Sequence, residues 1–309
     1  MTILITGIHG FVGSNLVKAL KGNHTIYGLD IIFPEKDGVS RTYSWNDLNS
    51  LPQVDVIIHL AGKAHDTKNQ TDAQIYFDIN TGLTQKIYDW FSKSDATKFI
   101  FFSSVKAAAE QVERDFLTED IIPTPKGPYG ESKIAAENYI LSNKCKSTYI
   151  LRPCMIHGPG NKGNLNLLYN IIKKGIPWPL GAFKNKRSFT SIDNLSYIIG
   201  ELIDKNIVDG IYNIADDQSL STNELISIIC ETTNKATRII NINENIVRFI
   251  AKVGTNFHLP LNEERLQKLT ENYVVSNEKI KKALGITNMP MCTQVGLKKT
   301  LESFKEVLS

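Results

Sequence analysis

Cysteine is scarce in this chain, and its placement excludes the chemistries that cysteines most often serve. Only four cysteines occur among 309 residues, and they form neither a close pair nor the ligand spacing of a zinc site. We therefore predict no metal site and no disulfide framework, and we expect reduced, mainly buried thiols. The four positions are Cys145, Cys154, Cys230 and Cys292.

Long apolar runs and an excess of one charge are missing as well. No stretch approaches the roughly eighteen apolar residues that span a bilayer, so no membrane insertion is predicted. The chain enters the apolar segment 3–5 at once, without the features of a secretory signal, and we expect a cytoplasmic protein. The formal net charge is +3 with acids and bases mixed, which argues against a nucleic-acid partner.

Short β-branched runs alternate with helical patterns in the first half of the chain. Runs such as Val56-Ile57-Ile58 are apolar at successive positions, which suits a sheet covered on both faces. We therefore predict an α/β protein with a Rossmann-type doubly wound parallel sheet. The predicted strands are 2–6, 25–30, 54–60, 98–103 and 148–152.

A glycine-rich turn follows the first predicted strand. Gly7, Gly10 and Gly13 would allow a tight turn, a close approach of the backbone to pyrophosphate and close packing of the next helix. Asp30 ends the second strand about twenty residues later, where a carboxylate can accept hydrogen bonds from ribose hydroxyls. Separately these residues could be ordinary turns, but together they predict a dinucleotide site. Because the acid would repel a ribose phosphate, NAD is favoured over NADP.

The regular alternation of strand and helix patterns ends after about Pro153. Gly- and Pro-bearing loops at 157–163 and 175–181 precede short helical patterns at 222–232 and 277–284. We predict an NAD-binding Rossmann domain at 1–153, to which some later segments return. Residues 154–309 should form a smaller C-terminal α/β portion that binds the substrate.

The glycine spacing resembles that of the extended short-chain dehydrogenase/reductase family, especially UDP-sugar 4-epimerases and related 4-keto-sugar reductases. Segment 55–62 resembles the family's fourth-strand motif, Asn80 its downstream asparagine, and 129–133 its Tyr-x-x-x-Lys element. The resemblance implies NAD as the cofactor and a UDP-sugar as the substrate. The implied cofactor contacts are Gly7, His9, Gly10, Phe11, Val12, Gly13, Asp30, Asp47, Leu48, Leu60, Ala61, Gly62, Asn80, Ser103, Tyr129, Lys133 and Pro153.

Three residues are the predicted catalytic set. Tyr129 and Lys133 are four residues apart and share one helical face, so the ammonium group should favour the deprotonated phenol. The resemblance implies that Ser104 hydrogen-bonds the reacting sugar oxygen, Tyr129 exchanges its proton and Lys133 also holds the nicotinamide ribose. The alternative is that Tyr129 and Lys133 are an ordinary surface pair. The dinucleotide motif earlier in the chain and Ser104 make this interpretation the weaker one.

The resemblance also implies contacts with the substrate. Arg187 falls in a segment that supplies a diphosphate-binding arginine, and Arg265 where relatives often have another; a guanidinium fork suits phosphate. Either arginine could instead be a solvated surface charge, and Trp178 could be core. The predicted substrate contacts are Ser104, Tyr129, Asn164, Pro179, Leu180, Arg187 and Arg265.

The residues after Ser104 narrow the reaction. The family's dehydratases carry an Asp-Glu pair there, whereas this chain has Val105-Lys106, which disfavours dehydration. We predict a UDP-sugar 4-epimerase, acting on a UDP-hexose or UDP-N-acetylhexosamine through a 4-keto intermediate, because NAD can be recycled within one active site. Met155 and His157 depart from the epimerase pattern, so this prediction has alternatives.

Two alternatives remain at this point. One is an NAD(P)H-dependent 4-reductase of a UDP-4-keto-6-deoxy-N-acetylhexosamine in surface-polysaccharide synthesis, which the stretch 159–194 resembles. The other is a non-catalytic NAD-sensing or scaffold protein, since fold does not fix function. A homodimer formed through helices at 80–92 and 129–142 is a further expectation from the resemblance.

Overall fold

The computed structural model describes residues 1–63, 72–161, 163–257 and 261–306. Its main element is a seven-stranded parallel sheet with the strand order β3-β2-β1-β4-β5-β6-β9. The order reverses on either side of β1, so the predicted doubly wound α/β sheet is confirmed. The strands are β1 (Thr2–Thr6), β2 (Thr25–Asp30), β3 (Arg41–Ser44), β4 (Val56–His59), β5 (Lys98–Phe102), β6 (Ser147–Pro153), β7 (Met155–His157), β8 (Phe189–Ser191) and β9 (Gly210–Ile214).

Helices cover both faces of the sheet. Along β1, Ile3 and Ile5 join one buried cluster with the helices at 11–20 and 192–204, while Leu4 joins another with the helices at 83–93 and 128–142. This two-sided burial explains the continuous apolar runs. The helices are α1 (Phe11–Leu20), α2 (Ala73–Tyr76), α3 (Leu83–Lys93), α4 (Val105–Ala108), α5 (Pro128–Ser142), α6 (Asn164–Lys173), α7 (Ile192–Asp204), α8 (Thr222–Thr232), α9 (Glu244–Asn256), α10 (Glu263–Thr270), α11 (Glu278–Leu284) and α12 (Thr293–Glu306).

Two short helical segments complete the outline. Leu48–Ser50 is a 3₁₀ turn after β3, and Phe77–Gly82 is a π-helical segment that joins α2 to α3. Within the described ranges, no helix is both long and apolar enough to cross a bilayer. The possible dimer through α3 and α5 stays a prediction, and these two helices pack against each other on one face of the sheet.

The C-terminal half returns to the sheet. β9 was not among the predicted strands, and it pairs in parallel with β6 through partners such as Leu151 and Tyr212. Its run includes a buried polar residue, Asn213, whose N–H donates to Glu119 at 2.7 Å. Because Asn213 interrupts the short apolar run, the sequence pattern did not predict this strand. The division of the chain at residue 153 stays a prediction.

A second apolar core lies outside the sheet. α6, α8, α9 and α12 contribute to it together with the segment around Trp178. Trp178 and Leu180 are 5% and 4% exposed in this core. Trp178 is therefore a packing residue, and the Leu180 side chain is held by the core, so that any contact of Leu180 with substrate would come from its backbone.

Candidate active site

The glycine turn connects β1 to α1 at the carboxyl edge of the sheet. Gly7 has φ +67°, and a Cβ there would lie 2.9 Å from the backbone nitrogen of Ala61. A Cβ on Gly13 would lie 2.6 Å from the carbonyl oxygen of Gly7. Both positions therefore require glycine. Gly10 caps α1 and donates its N–H to the Gly7 carbonyl at 3.0 Å.

Asp30 meets this turn at the end of β2. Its Oδ2 accepts from the His9 N–H at 2.9 Å, and its Oδ1 accepts from the Ile31 N–H at 2.7 Å. A carboxylate has about four acceptor sites, so both oxygens can still accept from ribose hydroxyls. The structure thus places Asp30 in direct contact with the glycine turn, through the His9 N–H.

Lys36 closes the same corner and was missed by the sequence analysis. Its Nζ donates to the Ile8 carbonyl at 2.8 Å and to Ser14 Oγ at 2.7 Å. Burial lowers the pKa of Lys36, whereas the negative charge of Asp30 raises it. Burial, followed by the charge of Lys36, also lowers the pKa of the His9 ring. This loop residue has no local sequence signal, because its partners lie 22 or more positions away.

A buried polar chain supports the loop after β4. His59 Nδ1 lies 2.7 Å from Thr6 Oγ1, and His59 Nε2 lies 2.9 Å from Thr84 Oγ1. Thr6 Oγ1 in turn accepts from the Ala61 N–H at 3.0 Å. Burial, and then the positive charge of Lys133, lowers the pKa of His59 to about 3. A neutral imidazole therefore links β1, β4 and α3.

Asn80 lies within the π-helical segment, fully buried. Its Nδ2 donates to Ser132 Oγ at 2.9 Å, and its Oδ1 accepts from the Lys63 N–H at 2.7 Å. A Cβ on Gly62 would lie 2.9 Å from Asn80 Oδ1 and 3.1 Å from Lys133 Nζ. Three residues that the sequence separates, Gly62, Asn80 and Lys133, thus meet at one point. π-Helical turns are frequent at functional sites.

Ser104, Tyr129 and Lys133 converge above the end of β5. Ser104 caps α4 and hydrogen-bonds the Tyr129 side chain. Lys133 Nζ donates to the Phe102 carbonyl at 2.8 Å. Burial lowers the pKa of Lys133 to about 8, and the charge of Glu137 opposes this shift. The ring of Tyr129 also packs edge-on against Tyr76, with centroids 6.4 Å apart.

The expected effect of Lys133 on the Tyr129 phenol needs a correction. Burial is the largest influence and raises the pKa of Tyr129, while the hydrogen bond from Ser104 lowers it. The described hydrogen bond of the ammonium group goes to the Phe102 carbonyl and uses one of its three N–H donors. Proximity on one helical face therefore does not by itself produce a phenolate.

Ser103, the residue before Ser104, bonds a partner outside the triad. Its hydroxyl donates to Glu137 Oε1, and Arg152 Nε donates to the same oxygen at 2.9 Å. Glu137 and Arg152 are buried, with side-chain exposures of 0% and 1%. Ser103 was predicted to contact the cofactor, but the Ser103 side chain hydrogen-bonds this ion pair. The ion pair itself was not predicted from the sequence.

The remaining predicted cofactor residues lie around the carboxyl edge of the sheet. Phe11 and Val12 begin α1, and Asp47 precedes the turn after β3 and accepts from the Ser44 N–H at 3.3 Å. Because all strands are parallel, these ends share one edge with Gly7 and Asp30. Leu48, Leu60 and Pro153 occupy the same edge, after β3, after β4 and at the end of β6.

Arg187 lies in a charged cluster at α4, the short helix that Ser104 caps. Its Nη2 is 3.6 Å from Glu271 Oε1, and its Nη1 donates to the Lys268 carbonyl. Lys106, two residues after Ser104, places Nζ 3.9 Å from the same Glu271 oxygen and 3.0 Å from Glu110 Oε1. The structure therefore brings Arg187 to the helix that follows Ser104. The contribution of Lys106 was not foreseen.

The other predicted substrate residues are more dispersed. Arg265 is exposed in the first turn of α10, the helix whose Lys268 carbonyl binds Arg187. Asn164 is exposed at the start of α6, and Pro179 is exposed next to the buried Trp178. α10 thus connects the two arginines, while nothing in the described contacts ties Asn164 or Pro179 to the triad.

Neither a metal-binding cluster nor a disulfide is found among the described residues. In the portion of the chain that the structure describes, no group of three or more His, Cys, Asp and Glu side chains could hold a metal ion. The four cysteines are free, Cys154 and Cys230 buried and Cys145 and Cys292 exposed. Burial raises the pKa of the Cys154 thiol, which favours the neutral form.

A parallel Rossmann-type sheet with a Ser–Tyr–Lys set above its edge defines a short-chain dehydrogenase/reductase. The sequence matches the NAD dependent epimerase/dehydratase family over residues 3–215, and the chain belongs to this family. The expectation of an NAD-dependent enzyme of the UDP-sugar epimerase-like type is thereby confirmed.

Individual relatives agree with this assignment. The chain is 30% identical over 321 residues to the UDP-glucose 4-epimerase of Vibrio cholerae, covering 98% of this chain and 95% of that protein. It is 28% identical over 245 residues to the N-acetyl-alpha-D-glucosaminyl-diphospho-ditrans,octacis-undecaprenol 4-epimerase of Escherichia coli O157:H7, covering 75% and 72%. Its fold is similar, at a TM-score of 0.76 and 23% identity, to Bacillus cereus UDP-glucuronic acid 4-epimerase in complex with UDP-glucuronic acid and NAD, covering 99% and 100%.

Proposed function

We propose that the protein is a UDP-sugar 4-epimerase that acts on a UDP-hexose or UDP-N-acetylhexosamine. The observation that carries this proposal is the convergence of Ser104, Tyr129 and Lys133 at the edge of the sheet that also holds the glycine turn. A proton-exchanging phenol beside a dinucleotide site suits oxidation and reduction at one sugar carbon.

The residues fit NAD. A Cβ at Gly7 or Gly13 would meet backbone atoms at 2.9 or 2.6 Å, so only glycine lets the turn pack tightly between β1 and α1. The N-terminus of α1, which this turn precedes, would bind the pyrophosphate. Asp30 would accept from the adenosine ribose, and Lys133 and Asn80 would lie at the nicotinamide end. When bound, NAD supplies the hydride acceptor and donor, and its oxidised ring adds a positive charge.

Tyr129 exchanges the proton of the sugar hydroxyl at its Oη. Its pKa is raised by burial, so the phenol needs a nearby positive charge to act as a base. The hydrogen bond from Ser104 stabilises the phenolate. The Ser104 hydroxyl has a single proton, so it can donate to the sugar oxygen once Tyr129 has taken up the sugar proton. Lys133 keeps two of its three N–H donors for the ribose and the phenolate, because the third is used by the Phe102 carbonyl.

Arg187 and Lys106 hold the diphosphate side of the substrate. Glu271 serves as their shared counter-ion, 3.6 and 3.9 Å away, and keeps both cations beside α4. A guanidinium group can donate two parallel hydrogen bonds to one phosphate, so Arg187 is the main anchor of the diphosphate in this proposal. Arg265 on α10 would add a second contact.

Epimerisation is preferred to net reduction for two reasons. Asp30, bonded to the His9 N–H, favours NAD, which one active site can recycle without an external reductant. The Vibrio cholerae relative, matched along 98% of this chain, is a UDP-glucose 4-epimerase. A 4-reductase of a UDP-4-keto-6-deoxy-N-acetylhexosamine remains the alternative, since it would use the same three catalytic side chains.

The test is an NMR assay of the sugar itself. The purified protein is incubated with UDP-N-acetylglucosamine or UDP-glucose and a trace of NAD, and the anomeric proton signals are followed. A galacto-configured signal that reaches a constant ratio without net NADH supports epimerisation. Unchanged sugars despite measured NAD binding would reject it for these substrates. Oxidation of NAD(P)H by the 4-keto sugar would then identify the protein as the reductase. Inactivity in both assays would instead indicate a sensing or scaffold role.

A lipid-linked sugar is a second candidate substrate. The Escherichia coli relative is named for a sugar joined through a diphosphate to undecaprenol. The same diphosphate group would meet Arg187 in either substrate. The exposed apolar side chains of α9, such as Phe249, favour a membrane-bound one. Turnover of the undecaprenol-linked sugar in detergent, without turnover of either UDP-sugar, would replace the first candidate with this one.

A further inference from the structure

α9 has an inverted distribution of apolar side chains. It packs into the second core through small or medium residues, Val247, Ala251 and Gly254. Its largest apolar side chains are instead turned outward: Ile246, Phe249, Ile250 and, just after the helix, Phe257 are 54%, 68%, 46% and 72% exposed. We call these four residues the apolar stripe.

The apolar stripe is a continuous helical face. Its members are spaced at three, four and seven positions, so at 3.6 residues per turn they fall within an arc of roughly 100°. The contact of Gly254 with Leu261 is so close that a Cβ would lie 1.8 Å from the Leu261 carbonyl oxygen. The helix therefore cannot turn the stripe inward, because Gly254 fixes which face is buried.

Basic residues lie on one flank of the stripe. Arg248 and Lys252 are exposed, and they project from the side of the helix next to Phe249. Arg248 also stacks on Phe183, 5.3 Å from the ring centroid, and pairs with Glu244 at 3.3 Å. Aromatic and aliphatic residues beside Lys and Arg characterise helices that lie in the plane of a membrane surface.

We propose that α9 binds the surface of a bilayer that contains anionic phospholipids. The apolar stripe would enter the boundary between headgroups and acyl chains, while Arg248 and Lys252 contact lipid phosphates. A second copy of the chain fits less well, because four side chains on one convex helix supply on the order of half of the roughly 800 Å² per partner of a stable interface.

The experiment is vesicle co-sedimentation of the full chain. Vesicles of phosphatidylcholine with phosphatidylglycerol are compared with vesicles of phosphatidylcholine alone, and we expect stronger binding to the anionic set. The double variant Phe249→Ser/Phe257→Ser should lower partitioning by at least about tenfold. Arg248→Gln/Lys252→Gln should lower binding to the anionic vesicles only. Val208→Ser, which removes a 79% exposed apolar residue elsewhere, is the matched control and should bind like wild type.

Other results would overturn the proposal. Failure of the wild type to sediment with either vesicle, or equal sedimentation of the Phe249/Phe257 variant, contradicts it directly. A dimer in light scattering that this variant dissociates would assign the stripe to a second copy. Thermal unfolding verifies that the variants are folded, and their turnover of a soluble substrate should match wild type, so a failure here is distinct from a failure of the proposed reaction.

Discussion

Glu137 on α5 and Arg152 on β6 form a buried ion pair with an Nη2–Oε2 distance of 2.5 Å. Glu137 stands one helical turn after Lys133 and also accepts from Ser103, so the pair ties the catalytic helix to two neighbouring strands. Arg152 Nε contacts both carboxylate oxygens, at 2.9 and 3.2 Å. The orientation of α5 over the sheet therefore depends on this pair.

Arg152→Met should strongly destabilise the fold. The substitution leaves the Glu137 carboxylate buried without its partner, and breaking such a pair costs about 3–5 kcal/mol. Urea unfolding measures the loss in free energy. Lys21→Met is the matched control, because the Lys21–Asp37 pair is exposed and should be worth less than about 1 kcal/mol. Equal losses in the two variants would contradict a structural role for Glu137–Arg152.

Tyr129→Phe should abolish turnover and leave NAD binding intact. Only the hydroxyl that exchanges the sugar proton is removed, and such groups contribute about 10²–10⁴-fold to the rate. Steady-state rates and NAD titration measure the two effects. Tyr139→Phe on the same helix removes a hydroxyl that donates to Asp89 and should keep its rate. Full activity of Tyr129→Phe would remove the phenol from the mechanism.

His59 should make the fold sensitive to acid. Its pKa in the folded protein is about 3 and lies below the ordinary histidine value of 6.5, so between these values the unfolded chain binds one more proton. Stability from this group is complete above pH 6.5 and falls as the pH drops toward 3, by about 1.4 kcal/mol per pH unit. Urea unfolding of wild type and of His59→Gln, measured from pH 7 to 4, gives the difference between their free energies of unfolding. We expect this difference to change with pH by that amount per unit. A constant difference would mean that the ring titrates normally.

Gly13→Ala should weaken both the fold and NAD binding. The new Cβ would approach the Gly7 carbonyl oxygen to 2.6 Å, and relief requires the glycine turn to move. Overpacking of this kind costs about 1–3 kcal/mol. Gly200→Ala, also inside a helix but with no atom within 4 Å, should instead stabilise by about 0.5–1 kcal/mol. Calorimetric NAD binding and thermal unfolding distinguish the two, and unchanged binding in Gly13→Ala would contradict the role of the turn.

Local pattern was sufficient for much of the fold. The predicted bounds of β1, β2 and α8 agree with the structure because each is set by its own apolar period and by adjacent turn or capping residues, such as the Ser221 capping box. β3 and β9 were missed because polar residues interrupt their short runs, Arg41, Thr42 and Ser44 in β3 and Asn213 in β9.

The sequence by itself determined the class of the protein. The spacing of Gly7, Gly10 and Gly13 and the Tyr129–Lys133 pair act within one turn, where backbone sterics and helical geometry leave few alternatives. Tertiary structure alone decided the environment of these groups. The raised pKa of Tyr129, the ion pair of Arg152 and the shared counter-ion Glu271 each depend on groups brought together from distant positions. Desolvation and charge act through space, so their effects follow the packing and not the order of the residues.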